Sequence, residues 1–265
     1  MSDDEYKSAL TYNNYLAIDD LLKLQQPLSD GPEHDELLFI IIHQTYELWF
    51  KQMLHETEET QRALEAGDAH HALALLGRIR TIMKICVAQV DILETMTPLQ
   101  FNSFRSRLES ASGFQSAQFR EFEAILGRRD TKAAAHLDPT ARERVERRMH
   151  ERSLWDSVLR FIAKRGFTIP DSQINRDFSS HYAANKDVQS ALIEIHHKDS
   201  EAALVCERLV DLDEGLQEWR YRHVKMVERT IGRKAGTGGS SGVGYLASTL
   251  FHPVFPDLWE IRSAF

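Results

Sequence analysis

Apolar residues recur along this chain at helical rather than strand spacing. Between residues 37 and 53, Leu37, Leu38, Ile41, Leu48, Trp49 and Met53, joined by Thr45 and Gln52, fall at i, i+3, i+4 and i+7 intervals. That spacing paints one stripe along a helix. Neither Gly nor Pro interrupts His34 to Glu65, and Pro32 and Gly67 flank the stretch as start and stop signals. A helix of about 33 residues would run roughly 50 Å, longer than a compact domain of this size needs. The pattern therefore points to a bundle or to an element between subunits. A second helix is predicted over about 68–94, and a short one restarts at Pro98 through Phe101, Phe104 and Leu108. Others are predicted around 118–125, over 153–164, and over roughly 185–231 with a kink at Gly215. No segment alternates convincingly with period two. The expectation is an all-α fold, a bundle of at least eight helices forming one domain over residues 1–265.

Charge and composition narrow the function. Lys and Arg number 32 against 40 Asp and Glu, a formal charge of −8. An acidic chain is a poor nucleic-acid binder, because that affinity comes mainly from neutralised phosphates. There is no apolar run of 18 residues to span a membrane, and the opening MSDDEYKSAL lacks the apolar stretch of a secretory signal. Two distant cysteines, Cys86 and Cys206, make neither a disulfide framework nor a clustered metal motif, which points to a reducing cytoplasm. The segment ARERVERRMHE at 141–151 mixes both signs at helical spacing and reads as a solvated helix face.

Candidate chemistry is sparse when the motifs are taken singly. A di-iron carboxylate bundle needs two Glu-x-x-His motifs, and Glu194 to His197 is the single match. His55-Glu56 is not followed by the second His of a zinc-protease helix. Six glycines crowd into 232–244. That cluster lacks the Lys-Ser/Thr of a phosphate loop and the preceding strand of a dinucleotide fingerprint. Gly238 to Gly242 matches a nucleophile elbow around Ser240, but the segment before it is helical rather than a strand. The loop is a connector, or it closes over a ligand through exposed backbone N–H groups. His43 sits among Leu, Phe and Ile, one helical turn after Phe39, either as a hydrogen-bonded core histidine or as a site residue. His223 reads as a surface residue or as a single metal ligand of the haem-protein kind. Arg105, one turn after Phe101, is an exposed cation or a carboxylate clamp.

The contexts of these residues decide what they leave open singly. LTYNNYL (10–16), HDELLFIIIHQTYELWFKQ (34–52), LETMTPLQFNSFR (93–105), SGFQSAQFR (112–120), WRYRHV (219–224) and GTGGSSGVGYL (236–246) together resemble the tryptophan 2,3-dioxygenase family. The resemblance runs from about residue 10 to the C-terminus and is weak between about 128 and 170. It implies an all-α, haem b-dependent homotetramer, a dimer of dimers, with one haem in the bundle of each subunit. The implied reaction cleaves the indole C2–C3 bond of L-tryptophan with O₂ to give N-formyl-L-kynurenine, the first step of the kynurenine route of tryptophan catabolism.

By the same resemblance, His223 is the proximal axial ligand of the haem iron, and His43 is the distal histidine that positions the indole N–H. Arg105 takes the amino-acid carboxylate, and Thr237 contacts the amino and carboxylate groups from the glycine loop. Phe39, Ile40 and Phe101 line the substrate pocket, and Ser112 and Gly113 lie beside the haem. Tyr12 and Tyr15 belong to an N-terminal segment, 1–17, exchanged with a neighbouring subunit. Some bacterial members carry Tyr where this chain has Phe101, and some relatives insert a single oxygen atom into substituted tryptophans. The alternatives are such a monooxygenase, a haem sensor or carrier without turnover, and a hydrolase built on Ser240.

Overall fold

A computed structural model describes residues 10–31, 33–109, 111–232, 234 and 243–265, without the side chains of Phe114 and Tyr245. Among these residues the secondary structure is entirely helical. Two short helices, α1 (Tyr12–Leu16) and α2 (Ile18–Leu21), precede the long α3 (His34–Ala66) and α4 (Ala69–Leu93). Then come α5 (Pro98–Arg105), α6 (Ala117–Leu126), α7 (Thr131–Ala134), α8 (Pro139–His150), α9 (Leu154–Lys164) and α10 (Asp171–Ile174). The last group is α11 (Lys186–Lys198), α12 (Ser200–Ile231), α13 (Val243–Ser248) and α14 (Pro256–Glu260). No helix among the described residues is long and apolar enough to cross a membrane.

Helix α4 is the axis of the bundle, packed against α3 on one side and α12 on the other. The turn between α3 and α4 reverses the chain in two residues. Gly67 takes a left-handed φ of 89° to close α3, and the Asp68 carboxylate caps α4 by accepting from the His71 N–H at 2.9 Å. Within the bundle the contacts are apolar, as at Met53, Leu64, Leu76, Ile79, Cys86 and Leu212, with a few polar cross-links. The Tyr46 hydroxyl donates to the Cys86 carbonyl at 3.0 Å, and Gln89 Nε2 donates to the Ile42 carbonyl at 3.0 Å. Buried donors need partners, and these two also fix the register of α3 on α4.

The sequence pattern predicts one helix over 185–231 kinked at Gly215, and the structure corrects this. The chain breaks at Asp199 instead, with φ −139° and ψ 89°, and α12 runs unbroken through Gly215. Asp199 is held in place from two sides. Its Oδ1 caps the Ala202 N–H at 3.1 Å, and Arg165 grips both carboxylate oxygens at 2.6 and 2.8 Å. An Asp that offers a cap competes with helix continuation. Gly215 serves close packing rather than bending, since a Cβ there would lie 3.2 Å from Met83 Cγ on α4.

The mixed-charge stretch forms most of α8, which is solvated on one face only. Ala141, Val145 and Met149, at i, i+4 and i+8, are buried toward α6, while Arg144 and Arg148 reach Glu121 and Glu58. After α13 the chain returns to the bundle through two buried carboxylates. Asp213 on α12 accepts from the Val254 and Phe255 N–H groups and from Trp259 Nε1. Asp257 accepts from Tyr182, the Asn185 N–H and Gln189.

Candidate functional site

One deep cleft opens between α3, α5, α6 and α12, with about 1240 Å³ of empty space including its mouth. Each wall has a local reason. Phe39 and His43 lie one turn apart on α3, and Phe101 and Arg105 lie one turn apart on α5, so each pair presents one face. Helix α5 itself starts with a full capping box, Thr97 with Gln100, and Pro98 at its first position. Ser112 and Gly113 come from the connection to α6, which brings Phe119, Arg120 and Glu123. From α12 come Trp219, Arg220, His223, Met226 and Val227, and from α13 comes Leu246. No residue between Glu123 and Trp219 lines the cleft.

The apolar end is aromatic. Phe39 lies with ring centroids 4.1 Å from His43, 5.8 Å from Phe101 and 5.6 Å from Phe104. On the other wall Trp219 stacks on His223 at 5.1 Å and 23°, and lies 4.6 Å from Phe119. The two histidines differ in their partners. His43 Nδ1 sits 2.7 Å from the Phe39 carbonyl oxygen, and because a carbonyl only accepts, the neutral ring carries its proton on Nδ1. His43 Nε2 is then an acceptor. Burial pushes the His43 imidazole below its usual range. It lowers His223 further, to about 4, helped by His43 and Arg120. Both rings are neutral at pH 7.

The polar end is built on Glu123. Its carboxylate accepts from Arg120 at 2.6 Å and Arg220 at 2.7 Å, with Arg128 at 3.7 Å. Burial alone would raise the Glu123 carboxyl, but Arg120, Arg220 and Arg128 bring it down to about 2. A carboxylate so surrounded is fixed as an anion, and the arginines are fixed in turn.

The sequence-based site residues mostly converge. Phe39, His43, Phe101, Arg105, Ser112, Gly113 and His223 all line this one cleft. Ile40 does not, because successive helix residues turn by about 100°, and the face carrying Phe39 and His43 turns Ile40 aside. Tyr12 and Tyr15 are 74% and 73% exposed on α1 and touch no part of the cleft of their own chain. Thr237 and Ser240 lie outside the described residues. Glu194 pairs with Lys198, and His196 with Glu207. No group of three His, Cys, Asp or Glu among the described residues could hold a metal by itself. Sequence reasoning passed over Trp219, Arg120, Glu123 and Arg220. Trp219 was discoverable, one turn before His223 on the same face.

Known proteins resemble this chain along most of its length. The family model for tryptophan 2,3-dioxygenase matches residues 2–147 and 196–265. The chain is 57% identical over 256 residues to the tryptophan 2,3-dioxygenase of Herpetosiphon aurantiacus, spanning 96% of this chain and 98% of the relative. The chain belongs to the tryptophan 2,3-dioxygenase family. It is also 58% identical over 261 residues to the family member of Anaeromyxobacter dehalogenans, covering 98% of this chain and 97% of the relative. To that of Caulobacter vibrioides it is 44% identical over 259 residues, 96% of this chain and 98% of the relative. The stretch outside the family match, 148–195, holds α9, α10 and most of α11, none of which reaches the cleft.

Proposed function

We propose that this chain is a haem b-dependent dioxygenase that opens the indole C2–C3 bond of L-tryptophan with O₂, giving N-formyl-L-kynurenine. The observation that carries the reading is His223, a half-buried neutral imidazole in an apolar cleft, with no hydrogen bond to a described residue. A ring with its lone pair uncommitted is what one axial iron bond requires. The surrounding walls of Leu93, Met96, Met226 and Val227 suit a large flat apolar cofactor. The residues present thus fit a haem held by His223, with Ser112 and Gly113 beside it. Bound there, haem supplies the oxygen chemistry.

The protein supplies orientation. An indole slot needs aromatic walls and one acceptor, and Phe39, Phe101 and the Nε2 of His43 provide them. Arg105 lines the same cleft as Phe101, and in this reading it takes the substrate carboxylate. Thr237 would cap that end from the glycine loop. Single-oxygen insertion into a substituted tryptophan is the less favoured chemistry, since the relatives named above are all tryptophan 2,3-dioxygenases. The deciding experiment is ferrous protein with L-tryptophan and O₂, read by product mass. Addition of two oxygen atoms supports the proposal, and addition of one sinks it.

We further propose a single domain, a cytoplasmic location, and a homotetramer in which residues 1–17 enter a neighbouring subunit's site. Leu10, Tyr12, Tyr15, Leu22, Leu24 and Leu28 are each more than half exposed, an apolar segment that asks for a cover. Removing residues 1–17 should weaken tryptophan binding more than haem content. A truncated chain that is monomeric and fully active would count decisively against exchange.

A further inference from the structure

A second cleft lies on the far side of the Glu123 cluster from the aromatic one, and its walls are of a different kind. It is framed by the turn after α6, the loop at 181–182 and the segment 252–256, with about 940 Å³ of empty space including its mouth. Its lining carries Arg128, Arg129, Lys132 and Arg220, with the imidazoles of His181 and His252. Against these stands one lining carboxylate, Asp130, already engaged with Arg128 and with the Ala133 N–H that starts α7. Glu123 behind the wall is shared among Arg120, Arg128 and Arg220.

The cations are held in ways that leave charge over. Arg129 is fixed by four carbonyl oxygens, those of Phe178, Ala124, Arg128 and Glu151, and by no carboxylate. Burial, aided by Arg176, lowers it to about 10, so it remains a cation at pH 7. Lys132 has neither ion pair nor hydrogen bond to a described residue, and His181 and His252 have no side-chain hydrogen bond to one. Arg220 is 4% exposed, lines both clefts, and is held on Glu123 at 2.7 Å. Four cationic side chains and two imidazoles around a cleft with one carboxylate, itself already engaged, leave a surplus of positive charge that an oxyanion completes.

We propose that this second cleft binds a small polyanion carrying phosphate or carboxylate groups. The site is separate from the tryptophan pocket and does not depend on the reaction assigned to that pocket. Its wall is shared through Arg220, so the ligand sits one side chain away from the aromatic cleft.

The test uses haem-loaded protein, so that the aromatic cleft is filled. Pyrophosphate, inorganic phosphate and citrate are titrated separately by calorimetry at low salt, where such contacts are least screened. The wild type should bind at least one of them with one site per chain. Binding of pyrophosphate or phosphate alone assigns a phosphate ligand, and binding of citrate alone assigns a carboxylate ligand. Lys132→Glu, on the exposed rim, should weaken the bound probe by about tenfold or more. Lys132→Arg should bind as the wild type does. The double change His181→Gln, His252→Gln should weaken binding severalfold. Haem content and tryptophan turnover without added anion should be unchanged in Lys132→Glu, which shows that the fold is intact. If no probe binds at millimolar concentration, or Lys132→Glu binds as tightly as the wild type, the proposal is wrong.

Discussion

The wall of the aromatic cleft made by α3 and the wall made by α12 each carry one histidine, and the two are not equivalent. His43 is tied at 2.7 Å to the carbonyl of Phe39, one turn back on its own helix. His223 is steadied by ring stacking on Trp219 and keeps its nitrogens free of described partners. A histidine with one nitrogen committed has a defined tautomer and a single outward acceptor. A histidine held by its ring face alone can give its lone pair to a metal. The same residue type, on two helices of nearly equal length, is thereby held in two different ways.

The sharpest way to break this comparison is to remove each histidine in turn. His223→Ala should abolish stable haem binding and activity together, read as loss of the ferrous Soret band and of haem stoichiometry. His43→Ala should keep its haem, and loss of haem there would mean that the two roles are reversed.

Beneath the α12 wall, Glu123→Gln should destabilise the fold by about 3 to 5 kcal/mol, because it leaves buried arginines without their counter-charge. The native carboxyl is depressed from 4.5 to about 2. Its contribution is therefore complete above the ordinary carboxylate range and is lost as pH falls from about 4.5 toward 2. Urea unfolding at several pH values should show this acid limb in the wild type and a flatter one in the variant.

Arg105→Lys keeps the charge but loses the planar fork, and should raise the KM for L-tryptophan by about ten- to a hundredfold. Turnover of tryptamine, which lacks the carboxylate, should barely move. Simple additivity of the two losses would show that Arg105 and the carboxylate do not meet. His43→Ala should slow turnover by the equivalent of about 1 to 3 kcal/mol, the cost of a polar group left unmatched.

The smallest change tests α12 itself. Gly215→Ala gains about 1 kcal/mol of helix propensity and crowds Met83, so unfolding free energy should shift by less than about 1 kcal/mol with turnover intact. Were Gly215 a hinge, turnover would fall instead.

The long helices were legible because breakers are rare and the apolar stripe is continuous, and the bounds of α3 and α4 follow the pattern to within a residue or two. The break at Asp199 was not. Asp199 is held at the break partly by Arg165, which lies 34 residues away in sequence, and periodicity carries no such information. In the site, Phe39 with His43 and Phe101 with Arg105 followed from helical spacing and from the family motifs. Glu123 was invisible because an acidic residue on a charged stretch looks solvated until Arg220, 97 residues later, is folded onto it. Ile40 fails for the opposite reason, since adjacency in sequence is not adjacency on a helix.

The aromatic cleft draws its lining from residues as far apart as Phe39 and Thr249, and this bears on when the protein can be completed. Domains fold as the chain emerges, N-terminal part first. A nascent chain stalled before α12 has α3, α4, α5 and α6 but neither His223, the proposed axial ligand, nor the wall around it. Leu246 and Thr249 come later still, and the segment behind them is fastened by Asp213. In the proposed haem reading, cofactor capture therefore waits until α12 and α13 have been made. Ribosome-stalled chains ending near residue 200 should carry no haem, and chains extended past residue 265 by an unstructured spacer should carry it.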